Sequence, residues 1–346
     1  MGEVNGCLGY LGYPGYLDPG VLRAFPPLAR FREQLGSRLL EVPQRDGCGR
    51  VFAKCEFDNP TATVKDRVAC AMLWRLLQTE PTTRGLRVLE YSGGTLAVPL
   101  ARLCQELEIP ITLVLSSGSD ASLLRQLATC GADVELVDKT RGFHAVMERA
   151  MELSREHPDW RFLYQHENPA NIYMHEITTG QEILAQLPVA RVDAWLTSVG
   201  TGGSLIGVYR ALSRAYPDLA MYATTPAEMP YGTYQPGNGK PKLAGSGGLG
   251  NGIRQPFVRP YDARVLAHRP YSYTEALVVM RDFHRDTGMW IGSSAAANLH
   301  AAQVLAKLLG PDSVTVTLFP SAGTPEEQAR AAAIGGAERA GKDIGC

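Results

Sequence analysis

The stretch NPTATVKDR, residues 59 to 67, sets a lysine where covalent chemistry is possible. Asn59 and Pro60 mark a turn and Thr61 or Thr63 suits a helix cap, so Lys65 falls in the first helical turn, where the backbone dipole disfavours a cation. Lys65, Ala69, Met72 and Leu76 follow one another at spacings of three and four, an apolar row turned toward a core. An amine buried there is pushed toward its neutral form, and a neutral lysine amine is a nucleophile able to form Schiff bases. A plainer reading lays the stem on the core and leaves the ammonium in water. From this segment alone both readings stand.

Three glycine turns supply further candidates. In SVGTGGSLIGVYRAL, residues 198–212, Gly200, Thr201, Gly202, Gly203 and Ser204 lie between an apolar strand and an amphipathic helix. Converging backbone N–H groups and the helix dipole make such a turn a seat for phosphate, although a simple tight turn has the same composition. A dinucleotide site needs a carboxylate at the end of the next strand, about twenty residues on. That strand ends Ala223, Thr224, Thr225, which favours a smaller phosphorylated cofactor over NAD. In EYSGGTLAVPLARL, residues 90–103, Ser92, Thr95 and the amides of Gly93 and Gly94 suit a carboxylate, or merely cap a helix. In FPSAGT, residues 319–324, Ser321 stands at the C-terminal end of a strand, where open α/β sheets collect their ligands and where a serine is also a common cap. The three turns and the lysine all belong at one edge of a sheet.

The elements that hold these residues follow from the pattern. VFAKCEF, a helix over residues 64–77, RVLEY, a helix over about 96–108, ITLVLS, VELVD, a helix over 143–156 and RFLYQ alternate, and DAWLTSVG, LAMYATT and SVTVTLFP repeat the scheme. Strand then helix, repeated, predicts an α/β fold with parallel sheets covered on both faces. A chain of 346 residues fits two such domains. Residues 230–259, rich in glycine and proline, read as a long functional loop or ordered cap, and GYLGYPGY near the start as an irregular arm. A hydrophobic content of 45% and a formal charge of -1 describe a soluble protein without the basic surplus that nucleic acid would need. No apolar run reaches bilayer length and the start lacks a signal-peptide pattern, so no membrane partner and a cytoplasmic location are expected. The seven cysteines are scattered without metal-ligand spacing, so reduced thiols and no metal are expected.

In their joint order these segments resemble the cysteine synthase family of pyridoxal-phosphate enzymes, the fold type II group that includes cystathionine β-synthase and the tryptophan synthase β chain. The resemblance runs from about residue 27 to 321, and NPTATVKDR is its most specific piece, similar to Asn-Pro-x-x-Ser-Val-Lys-x-Arg. It implies pyridoxal 5'-phosphate as cofactor, Lys65 as the Schiff-base lysine, and Gly200 to Ser204 as the cofactor-phosphate loop. Ser321 is then the partner of the pyridine nitrogen, and Gln165, in YQHENPAN, helps hold the substrate carboxylate; TTGQEI, residues 178–183, also matches. Ser92, Gly93, Gly94 and Thr95 take the place of the substrate loop. Two α/β domains are implied, residues 1–168 with the lysine and substrate loop and residues 169–346 with the phosphate loop. The N-terminal arm is free to cross between them, residues 111–137 form a mobile part, and the assembly is a homodimer.

A serine hydroxyl facing the pyridine nitrogen makes the ring a weaker electron sink, which suits β-replacement better than transamination. The activity implied is replacement of the β-substituent of an O-activated L-serine, O-acetylserine or O-phosphoserine, by a small nucleophile through an aminoacrylate, with Lys65 moving the α-proton. The product is cysteine or another β-substituted alanine. The alternatives are β-elimination of the dehydratase type and a non-catalytic binding homologue. Two departures stand out. The family's usual Thr-Ser-Gly-Asn-Thr-Gly loop has lost its asparagine here, and GLGNGIRQPF, residues 248–257, carries Arg254, which suits an anionic group on donor or nucleophile, or is a surface arginine.

Overall fold

The β-branched runs become strands that sort into two separate sheets in a computed structural model describing residues 17–44, 46–233 and 250–334. The GYLGYPGY arm and most of the glycine- and proline-rich stretch before Gly250 lie outside the described residues. Along the chain, α1 (Pro19–Ala24) and α2 (Pro26–Glu33) lead to the antiparallel pair β1 (Leu39–Val42) and β2 (Arg50–Cys55), and α3 (Lys65–Thr79) follows. β3 (Val88–Tyr91), α4 (Ala97–Glu106), β4 (Ile111–Ser116), α5 (Ala121–Thr129), β5 (Asp133–Val137), α6 (Gly142–Glu156) and β6 (Arg161–Phe162) then alternate. α7 (Ala170–Met174), one wide turn at His175–Thr179 and α8 (Gly180–Gln186) run on as a continuous helical stretch. The remainder is β7 (Ala194–Ser198), α9 (Gly203–Ala215), β8 (Ala220–Pro226), β9 (Val265–Tyr271), α10 (Tyr273–Thr287), α11 (Ser293–Leu309), β10 (Val314–Phe319) and α12 (Pro325–Ala333).

The larger sheet has the order β1-β2-β10-β7-β8-β9 and the smaller one β5-β4-β3-β6. Apart from β1 with β2, neighbours are parallel. That geometry demands helices on both faces, and it explains why β10, VTVTLF, is buried along its whole length. The larger sheet draws β1 and β2 from ahead of Lys65, whereas residues 88–162 supply all of the smaller one.

Two polar clusters join parts of the chain that hydrophobic packing alone would leave free to slide. Arg67, fully buried on α3, donates to Glu56 after β2 (Nε to Oε2, 2.7 Å) and to Glu182 on α8 (Nη1 to Oε1, 2.6 Å). Lys54 of β2 completes the group through Glu182 Oε2 at 2.8 Å. At the other side of the molecule the start of α5 is fastened to α12. Ser122 donates through its N–H and hydroxyl to the two oxygens of Glu326 (3.1 and 2.7 Å), and Asp120 accepts from the Thr324 hydroxyl and from Arg330, each at 2.9 Å. Cys55, Cys70 and Cys104 are fully buried. Desolvation pushes the first two thiols up to about 12 and the third higher still, so they serve as small apolar groups.

Candidate active site

Lys65 opens α3, and the turn before it is shaped for that purpose. The Asp66 carboxylate accepts from the Thr61 N–H, the Thr61 hydroxyl (2.8 Å) and the Thr63 N–H, while the Lys65 N–H donates to Thr63 Oγ1 at 3.3 Å. The N-cap of α3 is Val64 rather than either threonine; Thr63 Oγ1 takes the Lys65 N–H and the Thr61 hydroxyl serves the aspartate. Ala62 holds φ at +57°, a strained value for a residue with a side chain. The remaining members of the row, Ala69, Met72 and Leu76, are buried. The lysine stem follows them inward, and its amine meets Gln165 Oε1 at 3.5 Å. Burial, partly offset by the Glu90 carboxyl, lowers the amine to about 8, so near neutrality it both holds and releases a proton readily.

Gln165 is the hub of the site. Its side-chain nitrogen donates to the Tyr91 carbonyl at the start of the substrate loop (2.9 Å), and its own carbonyl accepts from Asn171 Nδ2 at 2.9 Å. Asn171 Nδ2 also donates to Thr201 Oγ1 at 3.0 Å, which brings in the glycine turn ahead of α9. From the other side, Thr63 bridges Ser321 as an isolated antiparallel pair and the Val64 N–H donates to the Pro320 carbonyl at 2.7 Å. The lysine, the substrate loop, the Gly200–Ser204 turn and the strand-end serine, which the sequence suggests for one sheet edge, are thus connected by a few direct contacts.

Each turn has its own local logic. Gly202 sits at φ +89° at the N-cap of α9, the left-handed conformation a glycine tolerates. A Cβ on Gly200 would project into open space, and Gly203 lies so close to Asn171 that a Cβ there would come within 2.0 Å of Oδ1. In the substrate loop the Ser92 N–H continues the sheet to the Val114 carbonyl (3.1 Å), while the Ser92 hydroxyl accepts from the Gly94 N–H (3.0 Å) and so caps the turn. Gly93 and Thr95 are exposed. The Ser321 carbonyl accepts from the Gly292 N–H at 2.8 Å, fixing the serine where α11 begins. Arg254 stands apart: its guanidinium is exposed and donates through Nε to Asp262 Oδ2 at 2.6 Å, a carboxylate that also accepts from the Tyr231 hydroxyl. Among the described residues its hydrogen bonds run to Asp262 and, through its carbonyl, to Arg259.

Some residues of the site are not evident in the sequence. Glu90, fully buried in β3, lies close enough for its charge to act on the Lys65 amine. Tyr91 and His166, both buried, are hydrogen-bonded through the tyrosine hydroxyl and Nδ1, and desolvation with the nearby lysine lowers His166 to about 3. A tyrosine after a strand and a histidine after a glutamine have no spacing signature, so only the fold reveals them.

The donor set fits a phosphate-bearing aldehyde. It offers one amine of depressed pKa and a glycine turn opening a 13-residue helix with space beside Gly200. Gly203→Ala tests the turn. The added methyl must displace Asn171, an overpacking cost of about 1–3 kcal/mol, and affinity for pyridoxal phosphate, read by fluorescence titration of apoprotein, is expected to fall about tenfold or more.

Comparison with known proteins agrees with this geometry. The family model described as "Pyridoxal-phosphate dependent enzyme" matches residues 34–321. A cysteine synthase from Staphylococcus aureus (strain N315) is 30% identical over 279 residues, 80% of this chain and 87% of that protein. A cysteine synthase from Buchnera aphidicola is 26% identical over 300 residues, 84% of this chain and 93% of its own. Among solved structures, O-acetyl serine sulfhydrylase isoform 3 from Entamoeba histolytica aligns with a TM-score of 0.74 at 22% identity, covering 85% of this chain and 88% of that one. An O-acetylserine dependent cystathionine β-synthase from Helicobacter pylori aligns with a TM-score of 0.75 at 22% identity, covering 84% and 94%. Both share the two-sheet fold type II architecture. Because the matched stretch begins ahead of β1 and ends on the strand-end serine itself, it takes in the whole set of converging residues, and the chain belongs to the pyridoxal-phosphate dependent enzymes, with pyridoxal 5'-phosphate as its cofactor.

Proposed function

We propose that the enzyme replaces the β-substituent of an O-activated L-serine with a small nucleophile, giving cysteine or a related β-substituted alanine. The observation that carries this reading is the Lys65 amine resting on Gln165, a residue tied at once to the substrate loop and, through Asn171, to the glycine turn. Its relatives named cysteine synthase support it. The cofactor, held by Lys65 and by the Gly200–Ser204 turn, supplies the electron-accepting ring that acidifies Cα and lets a Cβ substituent leave. Lys65, lowered to about 8, has the strength to take the proton from Cα and return it near neutral pH. Ser321 offers the ring nitrogen a neutral hydroxyl, which does not impose a proton there. Ser92 to Thr95 and Gln165 orient the substrate carboxylate, and the two sheets, as cores of two domains, exclude water from between them.

The test is direct. Reconstituted enzyme is mixed with O-acetylserine or O-phosphoserine and a panel of nucleophiles such as sulfide and thiosulfate, and products are identified by mass spectrometry. A new amino acid in amounts matching donor consumed is the expected result; pyruvate and ammonia alone would mean β-elimination, and no turnover of either donor a binding homologue. Arg254→Ala is expected to change kcat/KM for the acetyl and phospho donors by the same small factor, about twofold or less, because Asp262 already neutralises the guanidinium. A loss confined to the phospho donor would place that arginine on the substrate. A homodimer in the cytoplasm is the setting proposed for this activity. Among the described residues no helix is long and apolar enough to cross a membrane.

A further inference from the structure

Glu90 is a fully buried carboxylic acid that the reading above does not use. It is the penultimate residue of β3, one ahead of Tyr91, and its two oxygens are divided between the two strands of chain that build the substrate side of the site. Oε1 accepts from the Tyr91 N–H at 3.1 Å and Oε2 from the Gln165 N–H at 3.2 Å. The Tyr164 backbone also points its N–H at this carboxyl. Tyr164 itself holds φ at +51°, a left-handed conformation that a residue with a large side chain keeps only when its surroundings over-determine it. That turn is what aims the Gln165 side chain at the lysine amine.

We propose that Glu90 is a positioning residue for Lys65: it pins the strained Tyr164–Gln165 turn to the substrate loop and presents a carboxyl to the lysine amine. The inference rests on the reading of Lys65 as the cofactor-bearing base. Burial raises the Glu90 carboxyl to about 8, and hydrogen bonds from Tyr91 and Gln165 and the charge of Lys65 oppose that rise, so acid and amine titrate as a coupled pair. The other titratable groups facing the pair are Tyr91, Tyr164, Glu167, His166 and His175. Both tyrosines are pushed up, His166 is pushed down to about 3 and burial pushes His175 well below its ordinary value, so these four stay uncharged near neutrality. The sign of the coupling follows: an anionic Glu90 stabilises the ammonium of Lys65, and its removal lets the amine lose its proton at lower pH.

The experiment follows the rate at which full-length apoprotein forms an imine with added pyridoxal phosphate across pH, in native enzyme, E90Q and E90D, with borohydride trapping to confirm the labelled residue. E90Q is expected to move the pH midpoint of imine formation down by about one unit, and E90D to move it the same way by less. An unmoved midpoint in E90Q, with rates lowered by one factor at every pH, would reduce Glu90 to a purely structural part and overturn the proposal. Should E90Q not fold, E90D decides alone, and a midpoint equal to native overturns it. Failure of native enzyme to trap label on Lys65 would instead refute the reading of that lysine.

Discussion

Lys65→Ala is expected to lower turnover by about four orders of magnitude, and the purified variant to fix no cofactor when treated with borohydride. The size follows from the number of tasks assigned to a single amine: covalent attachment of the cofactor, removal of the proton from Cα, and its return. The side chains that touch it cannot take over the covalent attachment. Gln165, which touches the amine, is an uncharged amide, and His166 is held at about 3 and hydrogen-bonded to Tyr91. Lys65→Arg separates charge from nucleophilicity, since a guanidinium keeps the cation but stays protonated and forms no imine; it is expected to be as inactive as the alanine variant. Folding is expected to survive in both, because α3 is anchored by Ala69, Met72, Leu73 and Trp74 rather than by the lysine. Circular dichroism and melting serve as the control. A Lys65→Ala protein that still traps cofactor elsewhere and turns over donor at near-native rate would remove the central claim.

Arg67→Met is expected to destabilise the fold by about 3–5 kcal/mol, to be read from the shift in denaturant midpoint. Arg67 and Glu56 are both fully buried, and truncating the cation leaves the Glu56 carboxylate without its main partner in a place water does not reach. The methionine fills similar volume, so the loss reports charge rather than cavity. Glu182 gives the effect a pH signature. Desolvation raises its carboxyl, but Arg67 and Lys54 more than reverse that and bring it down to about 2. A depressed carboxylate contributes stability that is complete above its ordinary pKa and is lost as pH falls through its folded value. Native protein therefore keeps this contribution until strongly acid pH, and Arg67→Met, left with Lys54 alone, loses it at a higher pH. A shift below about 1 kcal/mol would mean that the cluster is solvated and carries little of the fold.

The parts of the site that were legible in the sequence are those that rely on local geometry. Lys65 at the start of a helix, three strand-turn-helix glycine motifs and the strand-helix alternation all depend on neighbours within a few residues, which pattern and turn chemistry report. What escaped is set by distant partners. The pairing of β2 with β10 joins residues 50–55 to 314–319, and no periodicity announces it. β6 shrinks from RFLYQ to Arg161 and Phe162, because the chain turns away at Tyr164 to bring Gln165 to the lysine. α11 is rich in alanine and buried around much of its girth, so it lacks the one-sided stripe by which a surface helix is recognised. Among the described residues β9, VLAHRPY, pairs with β8 alone, and an edge strand accepts the histidine, arginine and proline that disguise it. Glu90 is hidden for a related reason: an acid in RVLEY reads as the solvent side of a strand until both faces prove to be covered.

α12 begins beyond residue 321, where the family match stops, yet Glu326, Thr324 and Arg330 in and beside it grip Ser122 and Asp120 at the head of α5. Any drift of the smaller sheet away from the larger one at this corner has to undo those contacts. On the reading that the segment carrying α5 closes over a bound reactant, the dwell time of that reactant away from bulk solvent is set partly by side chains that never meet it.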